Sequence, residues 1–511
     1  MLVRVAGEER LIAAEDAGRY RDALGAGLPA GLPDAFLEPV DDPLGSLLGR
    51  WARTHPPFTT GEPAARFGLP VALVDDLLGR RAEQGLLLRG EFRPDGTERE
   101  WCDAEVLRQL RQRSLAALRK QVEPVDATAL ARFLPAWQGV GSSGRGLGRL
   151  IEVVSQLQGV AIPASVLERD VLSSRVADYS PALLDQLAAA GEVVWVGAGP
   201  LGRDDGKVML FLRRDAGILR PAGPERPDSE EHFRLREILT QRGACFFREL
   251  AGGDDNESLD ALWDLVWAGE VTNDSFAPLR ALTARKSRAS GSRKGRPNLG
   301  SLTVLGPRRA QGRWSLVDAD LPRDDSVPTE RSMRLASVLL DRHGVLTRES
   351  VRGEGHAGGF AAVYPVLRAM EEAGRVRRGY FVAGLGGAQF ALAGAVDRLR
   401  ASRPDTEGGP VALILAATDP ANPYGVALPW PVKGPQRAAG AYVILLDGVP
   451  SLYLERGGRA LVTLREYDGS WEAAAVDALS GLVADRRLRR LALERFDEEL
   501  SPVLRSSGFV R

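Results

Sequence analysis

Apolar residues recur at helical spacing along most of this chain, and four of these helical stretches end at a glycine followed by a short charged or β-branched segment. A glycine just past a helix adopts the left-handed conformation without steric cost, so each position predicts a helix end. Two further helical stretches precede each of them, so the same order of elements occurs four times. The four glycines are Gly85, Gly191, Gly269 and Gly374.

Three helices followed by a two-stranded hairpin form the winged-helix variant of the helix-turn-helix fold, in which the third helix can enter a major groove. In the second copy, Ser180 and Pro181 supply an N-cap and a first-turn proline for that third helix. The predicted fold class is therefore mainly α with α+β character, built from tandem winged-helix domains. These domains are predicted to span residues 43–103, 128–214, 228–284 and 329–401.

Other stretches lie outside this repeat. Residues 1–42 have the pattern of a strand, a turn and a helix left from a preceding domain, and residues 104–127 that of a connecting helix. Residues 285–328 predict a basic flexible linker, because their first 30 residues contain nine Lys and Arg and no acid. From residue 408 short apolar runs alternate with turn residues, which predicts a small β-barrel module over residues 408–511 that is truncated at its C-terminus.

Composition limits the classes of function. A formal net charge of −1 over 511 residues excludes a globally basic nucleic-acid binder, so DNA contacts must come from local clusters. The chain has no GxxxxGKS/T motif, so we expect neither ATPase nor helicase activity from it alone. Cys102, Cys245 and the four histidines lack metal-ligand spacing, which predicts no metal and no cofactor. No apolar run approaches the roughly 20 residues that span a bilayer, which predicts a cytoplasmic protein without a membrane partner.

Basic residues follow the last helix end directly. Arg375, Arg377 and Arg378 lie on or near the first strand of the predicted wing, and Tyr380 follows them. Arginine pairs with phosphate and an aromatic ring can stack on a base, so this segment is a candidate DNA contact. The alternative is a solvated wing whose aromatic rings pack into their own domain. The other candidate DNA-binding residues are Arg80, Arg81, Arg89, Lys286, Arg288, Arg293 and Lys294.

Several strings carry a family resemblance, among them "WARTHPPFTT", "LWDLVWAGEVTND", "RRGYFVAGLGGAQFA", "ATDPANPYG" and "LYLERGGRALVT". Over nearly its whole length the chain resembles the C-terminal region of bacterial Lhr, the large helicase-related proteins. In that family an ATPase core of two RecA-like domains precedes winged helices and a β-barrel. The resemblance implies a DNA-repair tail without its motor. It also implies as partners single-stranded or tailed duplex DNA, the N-terminal helicase core and other copies of the chain.

The Lhr tail is in turn similar to the AlkZ-like DNA glycosylases, which use a Gln-Φ-Gln or Gln-Φ-Asp motif. Here "ARFLPAWQGV" precedes Gln156 and Gln158, so the resemblance implies a catalytic role for both glutamines. Side chains two apart on a helix point roughly 200° apart, so the pair can face one site only if the helix ends there, which Gly159 permits. Asp419 is a further catalytic candidate. A structural role for the glutamines, and turn capping by Asp419 before a proline, are the alternatives.

Three functions stay open at this point. The leading hypothesis is a DNA-binding and assembly module of an Lhr-type DNA repair helicase. The second is a monofunctional glycosylase that acts on uracil in DNA, and the third is a scaffold that binds only protein. DNA binding at low salt separates the scaffold from the other two functions.

Overall fold

The computed structural model describes residues 1–93, 98–120, 124–221, 223, 226–284, 307–320, 328–402 and 411–509. The chain forms two compact units, Met1–Gln121 and Val122–Arg511, which we treat separately. Among the described residues, no helix has the length and apolar character needed to cross a membrane. We name the four predicted winged-helix domains A to D in chain order. The predicted cytoplasmic location stays a prediction.

The first unit contains a leading hairpin and helix, then domain A. Asp42 accepts a hydrogen bond from the Gly45 amide and Pro43 occupies the first turn, so the first helix of the domain begins there. Leu48, Val74 and Trp101 fill the core. The elements of this unit are β1 (Leu2–Val5), β2 (Glu8–Leu11), α1 (Ala17–Leu24), α2 (Pro43–Thr54), α3 (Gly61–Phe67), α4 (Val71–Glu83), β3 (Leu87–Gly90), β4 (Glu100–Asp103) and α5 (Ala104–Lys120).

Domain B opens the second unit. Its third helix begins after Ser180, with Pro181 in the first turn, and the helix is followed by Gly191 at φ 74°. Its strands pair in the order β5-β7-β6. The elements are α6 (Ala127–Trp137), α7 (Gly146–Leu157), β5 (Ile162–Pro163), α8 (Ala164–Val166, continued as a π-helix to Leu172), α9 (Pro181–Ala189), β6 (Val193–Pro200), β7 (Gly206–Leu212) and α10 (Arg213–Leu219).

Domain C extends beyond its predicted C-terminal boundary. Its elements are α11 (Glu230–Arg242), β8 (Cys245–Phe246), α12 (Phe247–Leu250), α13 (Asp255–Trp267), β9 (Val271–Asn273), α14 (Ala277–Thr283), β10 (Arg313–Leu316) and α15 (Val317–Asp320). Strand β10 is the middle strand of the sheet and pairs with both β8 and β9. The predicted limit at residue 284 was therefore too early, and part of the predicted linker of residues 285–328 is strand and helix. Trp314 explains this, because its fully buried ring completes the domain core.

Domain D follows the same plan. Thr347 caps its second helix by accepting from the Ser350 amide, and Gly374 at φ 73° follows the end of its third helix. Its strands pair in the order β11-β13-β12. The elements are α16 (Pro328–His343), β11 (Val345–Leu346), α17 (Arg348–Glu354), α18 (Gly359–Glu372), β12 (Val376–Gly379), β13 (Gln389–Leu392) and α19 (Ala395–Ala401).

The C-terminal part is a four-stranded antiparallel sheet in the order β14-β15-β16-β17. Within the described residues this sheet is open, so the predicted small β-barrel is not confirmed. Tyr442 and Ile444 of β15 point into one core, while Val443 and Leu445 point into another. The sheet is therefore buried on both faces. The elements are β14 (Ala412–Ala416), β15 (Tyr442–Leu446), β16 (Val449–Leu454), β17 (Leu461–Thr463), α20 (Glu472–Ala484) and α21 (Ser501–Ser506).

The wing of domain B is covered by domain C. The first five residues of β6 are buried, and a Cβ on Gly197 would overlap the main-chain carbonyl oxygen of Val266 in α13. The Thr272 hydroxyl also donates to the Trp195 carbonyl oxygen at 2.6 Å. This wing therefore packs on protein, which leaves the wings of the other three domains as candidates for contact with DNA.

Candidate nucleic-acid interface

The wing of domain D carries exposed cations. Arg375 and Arg377 are exposed, and among the described residues neither side chain has a carboxylate within salt-bridge distance. Arg377 lies in strand β12, opposite Ala391 of β13, and Arg375 directly precedes this strand. Because their charges are not neutralised within the chain, they are free to meet a polyanion.

Aromatic rings fix the third arginine of this wing. The Arg378 guanidinium lies 5.6 Å from the ring centroid of Tyr364 and 5.9 Å from that of Phe390. Phe390 belongs to the domain core, and its ring meets that of Tyr364 edge to face. The Tyr380 side chain follows, with the residue 44% exposed and its hydroxyl oxygen accepting from the Gly384 amide at 2.8 Å. The wing thus presents a positioned guanidinium and an accessible ring, the two groups that stack on bases.

The predicted cations of domain A are mostly neutralised. Arg80 pairs with Asp76 at 2.6 Å, and Arg89 approaches Asp75 to 3.5 Å. Arg81 instead donates to the Gly45 carbonyl oxygen at 3.0 Å and so joins two helices of its own domain. These three residues are therefore weaker candidates than the wing of domain D. Four further predicted residues, Lys286, Arg288, Arg293 and Lys294, lie outside the described residues.

Domain C, like domain A, has an arginine near its wing that pairs with a carboxylate. Arg313, at the start of β10, donates to Asp274 at 2.8 Å, so the base of this wing carries a paired cation. Exposed ion pairs of this kind contribute little to stability, but they reduce the charge that a phosphate meets.

The structure does not bring the two glutamines to one open site. Helix α7 ends at Leu157, and the backbone angles of Gln158 are no longer helical. Gln158 is 2% exposed, donates to Asp215 at 3.1 Å and accepts from the Leu212 amide at 2.9 Å. Gln156 lies closer to solvent and donates to the Asp341 carbonyl oxygen at 2.9 Å. The Gln158 side chain is thus buried and hydrogen-bonded within the protein, while Gln156 lines a pocket.

A residue that the sequence analysis missed holds both glutamines. Arg342, at 1% exposure, donates to the Gln156 carbonyl oxygen at 3.0 Å and also to the Gln158 carbonyl oxygen. Its remaining nitrogen donates to Glu354. The Gln-Leu-Gln segment is therefore a joint between domains B and D. No local pattern marks this contact, because Arg342 and Gln158 are separated by 184 positions.

Glu354 anchors the other side of this joint. His343 and His356 approach its carboxylate through their Nε2 atoms at 2.6 and 3.1 Å. Burial alone would raise the pKa of the Glu354 carboxyl. The charge of Arg342 and the two histidine hydrogen bonds outweigh burial and hold that pKa well below its ordinary value. Glu354 is therefore an ionised partner of Arg342.

Asp419 is likewise committed to the interior. It is 1% exposed and accepts from Arg175 at 2.7 and 3.1 Å, one distance for each carboxylate oxygen. It also accepts from the Ala421 amide at 2.7 Å, which is the turn-capping geometry that the sequence left open. Arg175 is itself fully buried, so the pair joins domain B to the C-terminal sheet.

An open pocket of about 440 Å³ lies beside Gln156. Asp341 and Glu152 are among its lining residues, and Glu152 pairs with Arg149 at 3.0 Å. Neighbouring protein atoms desolvate the Asp341 carboxyl and raise its pKa, while the charges of Arg334 and Arg342 oppose this rise. Asp341 thus lines the same pocket as Gln156, whose side-chain amide donates to the Asp341 main-chain carbonyl oxygen. Within the described residues, no group of three or more His, Cys, Asp or Glu side chains is arranged to hold a metal ion.

Comparison with known families gives three matches, each described as a winged-helix domain of the large helicase-related protein. The fourth such domain matches residues 325–411, the third matches residues 125–213, and the second matches residues 1–39.

Two curated relatives align with almost the whole chain. "Lhr helicase/ probable uracil glycosylase" of Mycolicibacterium smegmatis is 47% identical over 522 residues, which cover 97% of this chain and 34% of the relative. "Lhr helicase/uracil glycosylase" of Escherichia coli is 37% identical over 558 residues, which cover 99% of this chain and 35% of the relative. The chain thus spans about a third of the length of these relatives.

Proposed function

Because this chain belongs to the family of the large helicase-related (Lhr) proteins and carries their winged-helix domains, we propose that it is a DNA-binding and assembly module of an Lhr-type DNA repair helicase. The observation that carries this proposal is the wing of domain D, where Arg375 and Arg377 are exposed and have no acidic partner in the part of the chain that the structure describes. The proposed ligand is single-stranded or tailed duplex DNA. The helicase core and further copies of the chain are its proposed protein partners.

The residues of the wing support a mode of binding as well. Exposed guanidinium groups release counterions from a DNA backbone when they pair with phosphate, and the affinity then falls as salt rises. Arg378 is held against two aromatic rings, so little side-chain freedom is lost when it meets DNA. Tyr380 adds an exposed ring that can stack on an unpaired base. These features favour a strand end or a single strand over the interior of a duplex.

Replacing Arg375 and Arg377 together by glutamine is expected to weaken DNA binding roughly tenfold at low salt. The slope of log affinity against log salt should become shallower by about two, because two phosphate contacts are lost. Fluorescence anisotropy with a labelled tailed duplex, repeated over a range of salt concentrations, measures both quantities.

The matched control replaces Arg459 and Arg495 by glutamine, since both are exposed and pair with Glu494 and Glu455. This control should keep the wild-type affinity and slope. Equal losses in the two double variants would argue against a role for the wing. Wild-type protein that binds no DNA at low salt would leave the protein-binding scaffold as the remaining function.

A second candidate function is excision of uracil from DNA, which the printed names of both relatives include. The observation in its favour is the pocket that Asp341 and Gln156 both line, where the Gln156 amide donates to the Asp341 main-chain carbonyl oxygen. Base excision breaks the bond between the base and C1′ of the sugar. A carboxylate stabilises the positive charge that develops on the sugar and orients the attacking water, whereas an amide only orients. Asp341 is therefore the residue on which this candidate depends, with Gln156 in a positioning role.

Replacing Asp341 by asparagine is expected to slow uracil excision roughly a hundredfold without changing DNA affinity. Incubation with a uracil-containing oligonucleotide, followed by alkali to cleave the abasic product, measures the rate. Asp397→Asn is the control, because Asp397 is exposed on α19 and lies outside the pocket. No cleavage by the wild-type chain would retire this candidate, and an unchanged rate in Asp341→Asn would exclude Asp341 from the reaction.

A further inference from the structure

A cleft of about 660 Å³ opens between domain B, domain D and the C-terminal sheet, and neither proposed function uses it. Its volume lies within the usual range of roughly 300–1,000 Å³ for small-molecule sites. About half of its lining residues are apolar, with Val160 and Pro163 on one side and Val426 on another. Five of the other lining residues are charged, and the three basic ones outnumber the two acidic ones.

Arg437 contributes a cation without an acidic partner. Its guanidinium donates to three main-chain carbonyl oxygens: Asn422 at 2.7 Å, Asp419 at 2.9 Å and Tyr424 at 3.3 Å. Burial lowers the pKa of Arg437 to about 10, and the charges of Asp419 and Glu354 oppose this only in part. In the described part of the chain, no carboxylate lies within salt-bridge distance of it. A charge held in this way is stabilised when an anion arrives.

Two more cations face the same cleft. Lys207 on β7 and Arg456 just after β16 are exposed, and across the described ranges neither forms an ion pair. The carboxylates of the cleft do not neutralise them. Asp205 accepts from the Ser165 hydroxyl at 2.6 Å and from the Gly206 amide at 3.0 Å, while Glu354 is committed to Arg342 and two histidines.

An unsatisfied hydroxyl lies in the same wall. The Thr418 Oγ1 atom is buried and has no hydrogen-bond partner among the described residues. Buried polar atoms without a partner are uncommon in folded proteins, and a bound ligand is one way to satisfy them. This observation is independent of the three cations and also indicates a polar ligand.

We propose that this cleft binds a nucleotide unit, with its phosphate held by Lys207, Arg437 and Arg456 and its base or sugar against the apolar walls. Guanidinium groups match phosphate oxygens in geometry, and apolar side chains cover the faces of a base. The assignment deepens the proposed DNA binding, on which it rests for the source of the nucleotide. The same chemistry also fits a free nucleoside monophosphate.

The test uses the full chain and replaces Lys207 and Arg456 together by glutamine, since both are exposed and their loss leaves the core intact. The probes are thymidine monophosphate, measured by titration calorimetry, and a labelled oligonucleotide, measured by anisotropy. We expect the double variant to bind the monophosphate roughly tenfold more weakly, and its salt slope with the oligonucleotide to be shallower by about two. Lys433→Gln with Arg490→Gln, two exposed cations outside the cleft, should behave as wild type.

The outcomes separate this inference from the proposed function. A loss with the oligonucleotide alone supports the cleft and identifies the nucleotide as part of a strand. A loss with the monophosphate, in a wild-type chain that binds no DNA, supports the cleft and removes the proposed function. Wild-type affinity of the Lys207 and Arg456 variant for both probes overturns the cleft assignment, and the Arg375 and Arg377 variant then tests DNA binding by itself.

Discussion

Replacing Asp419 by alanine is expected to lower the free energy of unfolding of the second unit by about 3–5 kcal/mol at neutral pH. The change leaves the Arg175 guanidinium, which is fully buried, without its carboxylate. The Gln138 side chain, 2.8 Å from Arg175, accepts one hydrogen bond but supplies no negative charge. Chemical denaturation followed by tryptophan fluorescence measures the loss.

The matched control is Asp397→Ala on exposed α19, which should change stability by no more than about 0.5 kcal/mol. Adding Arg175→Met to Asp419→Ala should recover much of the loss, because the unpaired charge is then removed. If the Asp419 variant instead unfolds like wild type but no longer excises uracil, the catalytic interpretation made from the sequence is right and the structural one is wrong.

The helices of the winged-helix domains could be predicted because their signals are local. Gly191 and Gly374 end helices, and Ser180 with Pro181 begins one, within a few residues of the elements that they limit. The middle strand of domain C could not be placed in the same way. It contains Trp314, but it is separated from its pairing strand β9 by about 40 positions, and the sequence between them contains nine basic residues and one acid, which is typical of a linker.

The candidate DNA-binding residues were predicted because they are basic. Whether each one can bind phosphate depends on whether a carboxylate of the same chain already neutralises it. The pairing of Arg80 with Asp76 has i,i+4 spacing on a helix and could have been read from the sequence. The approach of Arg89 to Asp75 depends on the wing folding back over the helix, and no local pattern shows it. Exposure of Arg377 likewise follows from its position on β12 and needed the structure.

The contacts of Gln156 and Gln158 could not be predicted either, because their partners are distant in the sequence. The helix end that would free the two side chains is visible in the sequence at Gly159. The burial of Gln158 depends on hydrogen bonds with Asp215 and Leu212, which lie 57 and 54 positions away.

The architecture of the strands after residue 408 could not be predicted from the sequence either. Short apolar strands are compatible with a closed barrel and with an open sheet, and burial of the sheet on both faces accounts for their continuous apolar character.

Replacing Arg342 by methionine is expected to destabilise the second unit by about 3–5 kcal/mol at pH 7, because Glu354 is left buried without its main countercharge. In the wild type the pKa of Glu354 is held below the ordinary value of 4.5. Its contribution to stability is therefore complete above that value and is lost as the pH falls through the lower folded pKa. In the variant, burial still raises the pKa of Glu354 while the Arg342 charge that opposed it is gone, so Glu354 takes up a proton at a higher pH.

The difference in unfolding free energy between wild type and Arg342→Met should therefore be largest at pH 7 and shrink as the pH falls from 7 through the ordinary value of 4.5 toward the lower folded pKa of Glu354. Denaturation curves at several pH values measure this difference. Amide hydrogen exchange near Gln156 and Gln158 reports whether the joint opens, because Arg342 binds both of their carbonyl oxygens. Arg352→Met is the control, since Arg352 is exposed on the neighbouring helix α17 and should give a small, pH-independent difference. A difference for Arg342→Met that stays constant over this pH range would show that Glu354 does not depend on Arg342 for its charge.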